Sequence, residues 1–163
     1  MSKEIIDIYG NKTEVDCIGC AIQEGKITRP GGSIILTEHF DAQQDVEIPI
    51  PGFIILASRR HLVSVDEFSD EQKQDFINTL CQLRLAMRKA LDIKTVSLIQ
   101  EEGTSDHFHL WLFPWYGWMI EKFPENLSSL RPIMEYARTN LKTKDNLNKV
   151  LDSVEKLRNY FQL

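Results

Sequence analysis

The stretch Asp106-His107-Phe108-His109-Leu110-Trp111-Leu112-Phe113-Pro114 limits the fold of this chain more than any other part of it. Its apolar residues recur at every second position, the pattern of a β-strand with one face in a core. Phe108, Leu110 and Leu112 then project into the protein, while His107, His109 and Trp111 share the opposite face. Two imidazoles on that face stand roughly 6 to 7 Å apart, at about 3.3 Å of rise per residue. That is too far for both to hold one ion from a flat strand. It suits two adjoining tasks, one histidine binding a metal and the other doing chemistry.

An isolated histidine on a strand is ordinarily a polar surface residue or a hydrogen-bonded core one. These two are not isolated, because Cys17 and Cys20 form a C-x-x-C in "VDCIGCAI" and His61 closes the basic stretch "SRRH". The chain has three cysteines, and its N-terminus, Met1-Ser2-Lys3-Glu4-Ile5-Ile6-Asp7, lacks the apolar run of a signal peptide. Both features argue against a disulfide framework and lead us to expect a cytoplasmic protein. There a C-x-x-C is either a redox pair or half of a metal site, and a metal would need histidines or carboxylates to complete its shell. Cys81, inside an apolar helical pattern, reads as a small core residue.

Four short β-branched or aromatic runs read as strands: Ser33–Thr37, Gly52–Ser58, Thr95–Gln100 and His107–Phe113. A long helix is expected between the second and third. Ser69 with Gln72 makes a capping box, Asp70 and Glu71 suit the positive end of the dipole, and Phe76, Leu80, Leu83, Met87 and Leu91 recur at helical spacing. Pro132–Leu141 reads as a helix, and a last helix from about Lys144 carries Leu147, Val150, Leu151, Val154, Leu157 and Phe161 on one stripe. Such strands with one crossing helix predict an α+β layer fold with a mostly antiparallel sheet.

A chain of 163 residues is long enough for one domain with a proper core and too short for two ordinary ones. Hydrophobic and charged contents of 42% and 26% are those of a globular protein, and no run approaches the length of a membrane-spanning helix. A net charge of -5 argues against an extended nucleic-acid surface, which needs a basic face to displace counterions. A small phosphorylated ligand remains compatible with it.

Together, the C-x-x-C, "PIPGFIILASRRH" from Pro49 to His61, the helix opening with "FSDEQ" and the "EEGTSDHFHLWLFP" strand resemble the histidine triad (HIT) superfamily of nucleotide hydrolases and transferases. The resemblance runs from Cys17 to Pro114 and lies in the order and spacing of several motifs. It implies an antiparallel sheet with a crossing helix over residues 1–118 and a homodimer; the helices over residues 119–163 lie beyond the resemblance and are expected as an extension packed on the same domain. It implies a structural zinc on Cys17, Cys20, His61 and His107, a closed tetrahedral set. His109 matches the family's middle histidine, whose imidazole attacks the α-phosphate of a nucleotide derivative to form a nucleotidyl-histidine. Thr104 and Ser105, just before the strand, fall where donors to the phosphate oxygens are needed. Asp45 falls where the family holds the ribose hydroxyls, Phe40 and Ile18 are candidates for a base pocket, and Glu101 stands where the family often has asparagine.

Trp111 departs from the pattern, which puts histidine there, or glutamine in the transferase branch. An indole N–H can donate a hydrogen bond but never transfers its proton, so protonation of the leaving group needs another source. Three outcomes stay open: a hydrolase with a different acid, a transferase for a leaving group that needs no proton, or a nucleotide-binding protein without turnover. A substrate drawn from nucleoside phosphoramidates, dinucleoside polyphosphates or related nucleotides is expected in the first two cases.

Overall fold

The computed structural model describes residues 2–103, 106–123 and 126–162. The chain opens with a hairpin, β1 (Lys3–Ile6) and β2 (Lys12–Val15), followed by the short helix α1 (Ile18–Gln23). The strands β3 (Ile35–Leu36), β4 (Phe40–Gln44) and β5 (Ile54–Ser58) lead into the long helix α2 (Asp70–Leu91). After it come β6 (Val96–Gln100), β7 (His109–Pro114) and the helices α3 (Gly117–Lys122), α4 (Leu130–Asn140) and α5 (Lys144–Phe161). The main sheet has the order β3-β4-β5-β7-β6, with every neighbouring pair antiparallel. This is the expected α+β arrangement of an antiparallel sheet crossed by one long helix.

Local chemistry accounts for α2. The Ser69 hydroxyl accepts from Gln72 N–H at 3.2 Å and the Gln72 side chain accepts from Ser69 N–H at 2.8 Å, which satisfies two of the backbone donors a helix start leaves unpaired. The helix ends on Asp92 in the left-handed conformation, with φ 53°. Its buried residues Leu83, Ala86 and Met87 pack against Phe108, Leu110 and Leu112 of the opposite wall, the three residues that strand periodicity turns inward. Phe40, Phe68, Phe76 and Phe108 pack edge to face there, with ring centroids 4.8–6.3 Å apart. Helix α5 closes the same side through Val154 and Leu157, and Gly31, at φ +72°, lets the preceding loop approach it: a Cβ there would lie 2.8 Å from Val154 Cγ1.

The other sheet face carries Ile55, Ile99, Trp111 and Phe113 and is covered by α3 and α4 through Met119, Ile133 and Met134. A third cluster joins the hairpin to α1 through Ile5, Val15, Ile22 and Val46. The boundary expected at residue 118 falls inside α3, and the C-terminal helices cover both faces of the sheet. Among the described residues, no helix is long and apolar enough to cross a membrane.

Three expectations change. The run at Ser33–Thr37 forms only the two-residue strand β3. Strand β4, which is not among the four strands expected, lies in the sheet with all five residues buried. Two of its polar side chains find partners outside the strand: Arg29 donates to Asp41 at 2.7 Å, and Gln44 donates to Ile50 O and accepts from Gly52 N–H. Cys81 is exposed on α2 rather than in the core, since it lies on the helix face turned from the sheet.

Candidate metal centre and adjoining cavity

Four side chains from three distant segments meet beside the start of α1. Cys17 is the N-cap of that helix and accepts from Cys20 N–H at 3.4 Å, so the helix start sets both thiols on one turn. His61 follows β5, and His107 lies just before β7. His61 Nδ1 is 3.5 Å from Cys17 Sγ and 3.2 Å from Cys20 Sγ; for His107 Nδ1 the distances are 3.4 and 3.6 Å. All four donor atoms lie within 4.8 Å of one another. Tetrahedral zinc, with Zn–S of about 2.3 Å and Zn–N of about 2.0–2.1 Å, places sulfur and nitrogen about 3.5 Å apart along each edge. The four donors have that geometry and that chemistry, and they suit a structural zinc.

The surroundings prepare the set. Ser58 O lies 2.8 Å from His107 Nε2, and a carbonyl can only accept, so Nε2 carries the proton and Nδ1 presents its lone pair. Burial lowers the His107 pKa, which favours the neutral imidazole a metal needs. Burial, and then the hydrogen bond and charge of Cys17, push the Cys20 thiol up to about 11. Without a cation Cys20 therefore stays protonated at neutral pH. Between the two cysteines, Gly19 leaves room for the His107 ring: a Cβ there would fall 2.4 Å from its Cγ.

His109 has the opposite tautomer. His107 O lies 2.9 Å from His109 Nδ1, which must donate, and Nε2 is left with the lone pair. The ring lines a cavity of about 470 Å³ between α1 and the hairpin on one side and α4 on the other. Trp111 lies on the same wall, half-buried, with its ring 6.1 Å from that of His109 and 5.8 Å edge to face from Phe53. Strand register carries the wall across the sheet, because Ala57 opposes His109 and Ile55 opposes Trp111.

Asp45 and Ile18 reach this cavity. Asp45 Oδ1 accepts from the backbone of Glu47 at 2.8 Å and Ile48 at 2.7 Å, and burial raises its pKa. Phe40 does not reach it: β4 turns Phe40 to the opposite sheet face, into the core beside α2. Glu101 is not among the residues that line the cavity; both its carboxylate oxygens are engaged by Arg131, at 3.3 and 3.4 Å. Thr104 and Ser105 lie outside the described residues. Sequence reading missed Gln23, Gln43, Glu47, Arg131, Met134 and Arg138 as lining residues. Gln43 stands two residues before Asp45 and so on the same strand face, a signal that only the unread strand β4 would have supplied. The residues of α4 left none.

No protein-family model matches the chain. It is 24% identical over 107 residues to Protein hit of Bacillus subtilis, covering 63% of this chain and 72% of that one. Among solved structures, it is similar to a Zn-bound histidine triad family protein from Mycobacterium smegmatis, with a TM-score of 0.59 and 16% identity over 89% of this chain and 97% of that one. A HIT family protein from Bacillus anthracis gives a TM-score of 0.57 at 22% identity, covering 88% and 97%. A member of the HIT family from Bacillus subtilis gives 0.56 at 20%, covering 80% and 100%. The fold is that of the histidine triad proteins.

Proposed function

We propose that this protein binds a nucleotide derivative in the cavity beside His109 and transfers its nucleotidyl group, through that histidine, to water or another acceptor. The observation that carries the reading is the hydrogen bond from His109 Nδ1 to His107 O, which orients the ring and leaves Nε2 on a cavity wall. Nε2 forms a bond to the α-phosphorus while the bond to the leaving group breaks, its electron pair leaving with that group. Water then attacks the phosphorus, the P–N bond returns its electrons to Nε2, and the proton of the water passes to solvent. Asp45, with one oxygen held by backbone amides, offers the other to ribose hydroxyls, and Ile18 packs beside the base.

Cys17, Cys20, His61 and His107 hold the structural zinc, which ties α1, the segment after β5 and the start of β7 together. The zinc ligand His107 lends its own carbonyl to His109, so metal centre and nucleophile share one residue. A homodimer fits the surface: Ile77 and Leu85 are 48% exposed on α2, and Leu98 is 49% exposed on the edge strand β6, on the sheet face that α2 covers. The rival reading, a nucleotide-binding protein without turnover, is favoured by Trp111 alone.

The test is release of AMP or GMP from a panel of nucleoside phosphoramidates and dinucleoside polyphosphates, comparing wild type with His109→Ala at matched zinc content. Turnover lost by orders of magnitude in the variant supports the nucleophile. Nucleotide binding with no turnover by wild type supports the rival. A solution mass near twice 18.9 kDa, by light scattering, supports the dimer.

A further inference from the structure

A nucleobase is held by two kinds of contact, apolar surface against its faces and hydrogen bonds along its edge. The first is plain here, since Ile5 of the hairpin and Ile18 and Ile22 of α1 bring apolar side chains to the cavity beside His109. The second points to one residue. Gln43 lines the same cavity and is only 2% exposed, yet its Oε1 has no hydrogen-bond partner among the described residues. A buried acceptor without a partner is costly, and native structures keep few of them. One that faces a cavity is completed by whatever fills that cavity.

The polar groups around Gln43 are not in this state. Gln23, the cavity's other amide, donates from Nε2 to Asp41 at 3.2 Å. Glu4 pairs with Lys12 at 3.1 Å, Arg138 with Glu47 at 3.9 Å, and Lys3 is engaged as well. Asp41 Oδ1 is also buried without a partner, but Asp41 does not line the cavity and its Oδ2 already holds Arg29 at 2.7 Å. Strand register then sets the place of Gln43. It opposes Ile55, which opposes Trp111, so two spacings of about 4.8 Å put it roughly 10 Å across the sheet from β7. It stands two residues before Asp45, which a strand spaces at roughly 6 to 7 Å. A nucleotide with its α-phosphate at His109 and its ribose at Asp45 has its base in that range.

We infer that Gln43 is the residue that reads the base: its amide pairs with a base edge that carries an N–H beside an acceptor, and it does so for amino and keto bases alike. The inference rests on the cavity holding a nucleotide, as proposed above. An amide offers an acceptor oxygen and an N–H donor side by side. Among the described residues no side-chain hydrogen bond fixes which end faces which way, so a half-turn about the last side-chain bond exchanges them. In one sense Oε1 accepts from the adenine N6 amine while Nε2 donates to the adjoining ring nitrogen. In the other Oε1 accepts from hypoxanthine N1–H while Nε2 donates to O6. A base without an N–H on that edge leaves Oε1 as it was.

The test is calorimetric binding of AMP, IMP and purine riboside 5′-monophosphate, whose base has no N–H on that edge, to zinc-loaded wild type and Gln43→Met. Wild type is expected to bind AMP and IMP within about threefold of each other, and both about tenfold more tightly than the purine nucleotide. Methionine keeps the length of the side chain without donor or acceptor, so in the variant the three ligands should bind within about threefold. A general loss of structure weakens all three together and leaves their ratio as it was. Gln43→Leu repeats the comparison if the methionine variant does not fold. Equal binding of all three by wild type means that Oε1 is met by a water, and overturns the inference; so does a variant that keeps the tenfold preference. No binding of any nucleotide by wild type means that the nucleotide reading fails and this one with it, whereas binding without preference removes this inference alone.

Discussion

Replacing Gly19 with alanine should dismantle the metal centre without touching a ligand. The added Cβ would sit 2.4 Å from His107 Cγ and 2.6 Å from both Cδ2 and Nδ1, where real Cβ contacts stay above 3.0 Å. Ordinary contact therefore requires the ring to move by about 1 Å, whereas a metal–ligand distance tolerates only about ±0.2 Å. The ring cannot turn aside cheaply, because Nε2 is bonded to Ser58 O at 2.8 Å and the residue is only 2% exposed. Either the hydrogen bond or the metal bond gives way. Loss of such an outer contact costs about 10–100-fold in metal affinity and displacement of the ligand costs more, so we expect at least about 10²-fold weaker zinc binding. Competition against a chromophoric chelator measures this directly. Gly117→Ala, where nothing lies within 4 Å of the added carbon, is the control. A Gly19→Ala protein holding zinc within threefold of wild type would refute the steric argument.

Zinc binding at pH 7 should release protons, because Cys20 without metal titrates at about 11; calorimetry in buffers of differing ionisation enthalpy counts them, and a count of zero would contradict thiolate ligation. Asp45→Asn keeps the carbonyl that accepts from Glu47 and Ile48 but removes the charge. Burial raises Asp45 above 3.8, so its contribution to stability is full below about pH 4 and is lost as pH rises through the raised value. The variant should gain melting temperature relative to wild type between pH 3.5 and 7, and a difference independent of pH would show that the carboxyl is not penalised. Arg29→Ala strips the 2.7 Å partner from Asp41, whose side chain is 1% exposed, and should cost about 3–5 kcal/mol in urea denaturation. An unchanged midpoint would mean that water replaces the guanidinium.

Strand β7 was legible because its two faces have different work: Phe108, Leu110 and Leu112 are needed in the core and His107 and His109 are not, so the alternation survives in the sequence. The start of α2 was legible because Ser69 and Gln72 satisfy each other within one turn. Strand β4 was not, since Asp41 and Gln44 are buried against partners at least 12 and 4 residues away, and no local pattern distinguishes a polar side chain with such a partner from one in a solvated turn. Helix α4 fails differently. Its residues Ile133, Met134 and Ala137 form a packed apolar stripe, and Arg131 and Arg138 stand on the edges of that stripe. They are edges, but one border of the stripe is a cavity instead of bulk solvent. Helical periodicity reports which residues meet the sheet and is indifferent to what lies beside them. Cations bordering the stripe of a helix that covers a sheet are therefore where a single-sequence reading loses cavity residues, and here it lost Arg131 and Arg138, which both line the cavity beside His109.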